Sequence, residues 1–205
     1  VLYIPFEDDP SGGTIVDRSG NRHDATCTPG STCPARTQGK RGFGGQFDGS
    51  QFAVIPYQPV FDASTLTLAT WVFLDQPVDH VPVAKPLGAG DRDAWLLVAF
   101  VNRTCAETTV AALGYENICV MPQLSTGTWH HLALRVEATT KTLFIDGAVA
   151  DAITGTPNVY DTHDVYIGCD SNGGLPVLFW IGRIDEVLFY DRPLSNEEIA
   201  MLATP

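Results

Sequence analysis

Hydrophobic and polar residues alternate along the chain in short bursts, each broken after a few residues by Gly, Pro, Asn or Asp. The segments VLYIPF, GQFDGSQFAVI, STLTLATWVFL, AWLLVAFVN, HHLALRVEA, KTLFIDGAVA, DVYIGC and GRIDEVLFY are rich in β-branched and aromatic side chains. Such side chains fit a pleated, half-buried surface, so these segments are predicted strands. Between Thr67 and Phe73, and between His131 and Val136, apolar residues fall on both parities. Strands of that kind are covered on both faces and belong inside an antiparallel two-sheet sandwich. Helical spacing occurs at Ser195–Leu202, where Ser195 and Glu198 form a capping box and Asp191-Arg192-Pro193-Leu194 supplies the preceding turn. Residues 8–41, 75–93 and 102–118 carry the Gly, Pro, Asp and Ser of loops, which at sandwich edges commonly meet ligands. Asp146-Gly147, and with it Asp48-Gly49, reads as a tight turn whose glycine takes a positive φ.

Composition narrows the range of functions. A chain of 205 residues with 44% hydrophobic and 18% charged residues buries a full core, and one domain over 1–205 is the simplest division. The formal net charge of -12, with no local cluster of Lys or Arg, opposes binding to phosphate backbones and anionic lipid, so no nucleic-acid partner is expected. No apolar run is long enough for membrane insertion. VLYIPF lacks the basic flank and cleavage site of a signal peptide, so the chain is expected to be a mature or excised piece. Cys27 and Cys33 bracket one turn-rich segment and Cys105 and Cys119 another, which predicts two disulfides with Cys169 left reduced. On that reading the compartment is oxidising and the protein secreted or on the cell surface. Five buried thiols in a cytosolic protein is the alternative.

Six pieces of sequence carry a resemblance. They are Asp17-Arg18-Ser19-Gly20-Asn21, Phe47-Asp48-Gly49-Ser50, Leu68-Ala69-Thr70-Trp71-Val72, Trp129-His130-His131-Leu132-Ala133, Leu143-Phe144-Ile145-Asp146-Gly147, and Gly182-Arg183-Ile184-Asp185-Glu186-Val187 followed by Tyr190-Asp191-Arg192-Pro193-Leu194-Ser195. In that order they resemble the laminin-G-like jelly rolls of the concanavalin A-like lectin and glucanase superfamily, over essentially the whole chain. The resemblance implies an all-β jelly roll with one short C-terminal helix. With no carboxylate pair or nucleophile motif in the residues, the expected function is an extracellular, non-catalytic module of that fold, lectin-like and carrying carbohydrate or another extracellular ligand, often as part of a larger secreted protein. A glycoside hydrolase and a protein-binding adhesion module are the alternatives on the same fold. A structural Ca²⁺ tying the first strand and its loop to the last strand is a further implication, which places its ligands at Glu7, Asp17 and Asp185.

Candidate chemistry is sparse in the residues themselves. Asp185 and Glu186 are consecutive, so on a regular strand they point to opposite faces and cannot form the closely spaced carboxylate pair of a retaining glycosidase. Glu186 is then expected as a surface or ion-pairing residue. His130 and His131 diverge in the same way, with one expected inside and the other outside. No Gly-x-Ser-x-Gly elbow announces a Ser/His/Asp triad. Trp71, Trp129 and Trp180 stand at core positions of the resembled family. Trp95, Tyr57, Tyr115 and Tyr160, closer to expected loops, are the candidates for stacking on a sugar ring. Asp79, His80, Asp91, Arg92 and Asp93 crowd one expected loop and read as a solvated polar segment.

Overall fold

The computed structural model describes residues 1–88 and 90–204, apart from the Leu113 side chain. The first strands are β1 (Leu2–Ile4), β2 (Thr14–Ile15), β3 (Ala25–Thr26), β4 (Ala35–Gln38), β5 (Phe43–Asp48) and β6 (Ala53–Ile55). The long central ones are β7 (Leu66–Leu74), β8 (His80–Pro86), β9 (Asp93–Phe100), β10 (Arg103–Val110), β11 (Gly114–Val120), β12 (Trp129–Val136), β13 (Thr140–Ile145) and β14 (Ala148–Thr154). Last come β15 (Val165–Ile167), β16 (Asp170–Asn172), β17 (Leu175–Val177), β18 (Ile181–Tyr190) and helix α1 (Asn196–Leu202). One sheet runs β14-β13-β12-β7-β18-β5-β4, with β1 also paired to β18. The second runs β11-β10-β9-β8-β15-β6-β3-β2, and β16 and β17 form a separate hairpin. The pairings named here are antiparallel, as the sandwich reading requires.

The two-parity strands of the sequence are explained by what covers each sheet's outer face. On β7, Leu66, Leu68, Val72 and Leu74 enter the core between the sheets, whereas Ala69 joins Ala133, Phe144 and Leu188 beneath α1 through Leu194 and Ile199. The helix is fixed as its sequence predicts: the Ser195 hydroxyl accepts from the Glu198 N–H and the Glu198 carboxylate accepts from the Ser195 N–H. On the second sheet, Leu97 and Ala99 of β9 face the core, while Leu96 and Val98 join Val81 and Cys105 on the opposite face. The contacts of β16 with β8 bring the β16–β17 hairpin alongside that face.

Two of the three expected loop regions are in fact strand. Residues 102–118 hold β10 and most of β11, and residues 75–93 hold β8. Arg103-Thr-Cys-Ala-Glu-Thr-Thr-Val is polar, yet its threonines are β-branched and Thr104, Thr108 and Thr109 are buried. Polarity concealed a pleat that β-branching would have supported.

Both expected disulfides are present, Cys27–Cys33 and Cys105–Cys119, and Cys169 is a buried free thiol. Cys105 and Cys119 are direct cross-strand partners on β10 and β11. Closing loops of these lengths constrains the unfolded chain by about 2–3 kcal/mol each. Replacing either pair by alanine is therefore expected to lower the free energy of unfolding in urea by that amount. Addition of a reductant should then affect the wild type and leave the double-pair variant unchanged.

Candidate functional site

A β-bulge builds the most distinctive site. Lys85 of β8 pairs with Trp95 and the next residue, Pro86, pairs with Asp93, so β9 has one extra residue there. Trp95 consequently faces the core while Asp93 turns to the opposite face with Leu96 and Val98. Asp93 then lies over a cavity of about 360 Å³ between this face and the β16–β17 hairpin. Its apolar lining is Val81, Leu96, Val98, Phe100, Val177 and Leu178. Asp91, Asp93, Glu107, Asp170, Tyr115 and Asn172 are the polar residues set among them.

The carboxylates of this cavity are in an unusual state. Asp93 and Asp170 are only 4% and 6% exposed, and they share a side-chain hydrogen bond, so one of them donates a proton to the other. Burial, reinforced by the charge of Asp170, pushes the Asp93 carboxyl well above the usual carboxylate range. Burial raises Asp170 and Glu107 too, with Arg103 opposing the rise at Glu107. Asp93 Oδ1 is buried, and apart from the carboxyl group of Asp170 no donor among the described residues reaches it. Such an atom is costly unless something supplies a donor. Tyr115, 42% exposed, borders the cavity, with its hydroxyl donating to the Asp91 carbonyl and the Arg92 guanidinium 3.7 Å from its ring centre.

The other three aromatic candidates are structural. Trp95 is 1% exposed, packs on Phe189 and donates its indole N–H to the Phe61 carbonyl, which closes it off from any ligand. Tyr160 donates to the Ala63 carbonyl and Tyr57 to Asp62 Oδ2. All three converge on the segment 61–63 and hold it to the sandwich. Trp71 and Trp180 are buried as expected, and Trp129 is half-buried. The polar loop expected around Asp79 to Asp93 is partly a misreading, because His80 is fully buried in β8 and Asp93 lies on β9.

Glu7, Asp17 and Asp185 do not converge. Asp17 accepts from the N–H groups of Tyr3, Ser19 and His23 and from the Ser19 hydroxyl. Asp185 Oδ1 accepts from the Glu186 N–H and Oδ2 from the Arg41 N–H. Glu7 accepts from the Phe43 N–H. Glu7 and Asp185 thus brace the same β4–β5 turn, and the turn has glycines where they crowd it. A Cβ on Gly39 would stand 2.5 Å from Asp185 Oδ2, and one on Gly42 would collide with Glu7 Oε1. Among the described residues, the grouping that places three potential metal ligands within 4.8 Å is Cys105, Glu107 and Cys119, and its cysteines are spent in a disulfide.

Strict alternation fails at Asp185 and Glu186. The register between β18 and β7 shifts between Asp185 and Leu188, and Glu186 has φ 52°. Both carboxylates therefore meet Arg41, Asp185 through its backbone N–H and Glu186 through its guanidinium at 3.0 Å, and both are buried. Tyr3 adds a hydroxyl to Glu186 at 2.7 Å. Glu186 is thus a buried pairing residue, and its surface placement is corrected by the bulge. At the histidines the alternation holds, since His131 is 1% exposed and burial pulls its pKa down to about 4. His130 links Ser125 and Asp146 at 2.8 and 2.9 Å. That chain has triad order, yet Asp146 also accepts from the His131 N–H, and the three residues clamp the 145–148 turn to β12.

A family model described as the concanavalin A-like lectin/glucanases superfamily, of the laminin-G type, matches residues 47–200. Among solved structures, domain 4 of AbnA, a GH43 extracellular arabinanase from Geobacillus stearothermophilus solved with arabinotriose, aligns with a TM-score of 0.76 at 19% identity. That alignment covers 99% of this chain and 97% of the other. The binding domain of Paraclostridial Mosquitocidal Protein 1 aligns at 0.75 and 15% identity, over 99% of this chain and 51% of that one. A heptameric SAP-like pentraxin from Limulus polyphemus aligns at 0.60 and 14% identity, over 78% and 80%. Among curated proteins, none matches the chain by sequence.

Proposed function

The chain belongs to the concanavalin A-like lectin/glucanase superfamily, and on that premise we propose that it is a non-catalytic, extracellular carbohydrate-binding module whose sugar site is the cavity beside β9. The observation that carries this reading is the cavity's mixed lining, in which apolar side chains and carboxyl groups stand beside one another, as Leu96 and Glu107 do as cross-strand partners. A sugar ring offers both kinds of contact, an apolar face of C–H groups and a rim of hydroxyls. The Asp93–Asp170 pair supplies both a donor and an acceptor to such a rim. The likeness to an arabinanase domain solved with arabinotriose supports an oligosaccharide ligand, and the two disulfides support an oxidising compartment. No helix of the described residues is long and apolar enough to cross a membrane.

Glycoside hydrolysis is the less favoured reading. Its carboxyl groups stand about 5–5.5 Å apart for retention and about 6.5–9.5 Å for inversion. Asp93 and Asp170, in direct hydrogen-bond contact, are too close for either. Calorimetric titration with a panel of oligosaccharides, beside an assay on chromogenic glycosides, tests the proposal. Saturable sugar binding that Tyr115→Ala and Asp93→Asn weaken, with no turnover, is the expected result. Binding that survives both substitutions, or hydrolysis lost with one carboxylate in a folded protein, overturns it.

The structural calcium is a separate proposal that rests on the resemblance alone, since Glu7, Asp17 and Asp185 are not gathered within 4.8 Å of one another. Oxygen-rich shells of six to eight ligands hold Ca²⁺, and binding to the folded state alone raises the melting temperature. Melting curves in EDTA and in excess calcium are expected to separate, with the separation lost in Asp185→Ala. Superimposable wild-type curves, with no tightly bound metal by elemental analysis, remove the ion from the picture.

A further inference from the structure

We propose that the β16–β17 hairpin is a pH-sensitive flap over the β9 cavity, held shut by the hydrogen bond between Asp170 on the hairpin and Asp93 on the sheet, and freed when the proton in that bond is released. As a control on ligand entry it rests on the reading of the cavity as a binding site; the motion itself does not. The two strands pair with each other in a sheet of their own. A lone two-stranded hairpin has little stability by itself, so its ties to the body decide where it lies. At its root the Trp180 N–H donates to the Gly168 carbonyl at 2.8 Å and the Val81 N–H to the Leu178 carbonyl at 2.9 Å. Gly168 and Leu178 have positive φ, 87° and 50°, and turn the chain into and out of the hairpin. At its tip the Gly173 N–H reaches the Gly90 carbonyl at 3.3 Å, a long bond. Residues 172–175 of the tip are exposed, Leu175 by 72%, and among the described residues nothing covers them. Between root and tip, Asp170 reaches Asp93 across the gap.

That bond exists only while one of the two carboxyl groups keeps a proton. Both are more than nine-tenths buried, and burial together with the neighbouring acids keeps the proton on Asp93. The acids acting on the pair are Asp91, before β9, and Glu107 of β10, while Cys169 stands beside Asp170 on the hairpin. The cations are committed elsewhere. Arg92 lies over the Tyr115 ring, Arg103 lies 4.5 Å from the ring centre of Phe100, and Lys85 of β8 is turned to the Asp161 and His163 carbonyls. Tyr115 of β11 donates to the Asp91 carbonyl, and Tyr166 of β15 stacks on Phe52. Once the proton is gone, two buried carboxylates face each other with no cation between them, and lifting the hairpin returns Asp170 to water. In the open state both acids titrate as ordinary carboxyls. Closure is therefore complete below about pH 3.9 and weakens with rising pH, by up to about tenfold per unit, until the raised closed-state value of Asp93 is passed.

Hydrogen–deuterium exchange of the backbone amides of residues 170–177, read by mass spectrometry, tests this without any ligand. Wild type is compared with Asp93→Asn, whose amide N–H donates to Asp170 at any pH, with Asp170→Asn, which reverses that bond, and with Asp93→Ala, which abolishes it. Each variant is checked for folding by its melting curve. Comparison at a single pH removes the pH dependence of the exchange chemistry itself. At about pH 4 the wild-type hairpin is expected to match the two asparagine variants, and at about pH 8 to exchange at least about tenfold faster than either. Asp93→Ala should exchange fast at both, and β12 should stay protected in all four proteins. A ratio of wild type to asparagine variants that does not change with pH overturns the flap, as does an Asp93→Ala hairpin no faster than that of Asp93→Asn. Exchange that rises equally in β12 overturns it too, because the pair then acts on global unfolding. A hairpin that opens with pH in a protein that binds no oligosaccharide upholds the flap and removes the sugar reading; sugar binding beside a hairpin indifferent to pH does the reverse.

Discussion

Asp185→Ala is expected to destabilise the protein by about 3–5 kcal/mol, a fall of roughly 10 °C in the melting temperature for a chain of this size. The side chain is fully buried at the junction of three pieces of backbone. Its oxygens accept from the N–H of Arg41 in the β4–β5 turn and from the N–H of Glu186 at the bulge of β18. The N–H of Lys40 acts on it in the same direction. Alanine leaves these donors unpaired and opens a void against Gly39 and Gly44. Asp185→Asn keeps one acceptor oxygen and should lose less than half as much. The effect has a pH signature, because burial raises the Asp185 carboxyl to about 7. Its contribution is full below the ordinary carboxyl value of about 3.9 and declines as the pH rises through the folded value. The gap between wild type and Asp185→Ala is therefore expected to be wider at about pH 5 than at about pH 8. A variant that melts within a degree or two of the wild type at both pH values would show that the turn holds without this carboxylate.

The same residue shows how far the sequence could be read. Buried strand, late position and paired acids were all visible in Gly-Arg-Ile-Asp-Glu-Val, as were the capping box, the Asp146-Gly147 turn and both disulfide pairs. Each is a local pattern with a local cause. What escaped was set by pairing between distant segments. The bulge at Glu186 depends on the register between β18 and β7, and nothing in the residues marks a glutamate for positive φ. Asp93 escaped for the same reason: a one-residue bulge against β8 moved it from an apparent loop to the wall of a cavity. Glu107 lay within a polar segment taken for loop, and Asp170 followed a cysteine at the end of a short strand. Of the aromatic candidates, Tyr115 alone reached the cavity, since exposure of an aromatic ring is decided by the layers that cover it.

Asp93→Asn is expected to weaken ligand binding and at the same time to stabilise the protein, by about 1–2 kcal/mol near neutral pH. In acid, the folded protein holds a proton on Asp93 that the unfolded chain, with an ordinary carboxyl group, releases more easily. The stability this proton confers is complete below about pH 3.9 and is lost as the pH rises through the elevated folded value. At neutral pH the wild type is thus left with acids crowded in a buried site, Asp93 against Asp170 with Glu107 and Asp91 beside them. An asparagine at 93 has almost the same shape, can donate its amide N–H to Asp170, and carries no proton to lose. Wild type and variant should therefore melt together at about pH 4 and diverge by several degrees at about pH 8, at roughly 2–4 °C per kcal/mol. His80 and His131, whose burial lowers their pKa, lose stability in the opposite direction as the solution is acidified, but they are common to both proteins and cancel in the difference. A residue that costs the fold stability where it stands, and whose removal costs affinity, is one retained for its ligand. If Asp93→Asn melts below the wild type at every pH, Asp93 is instead a structural partner of Asp170, and the cavity loses the strongest reason for regarding it as a binding site.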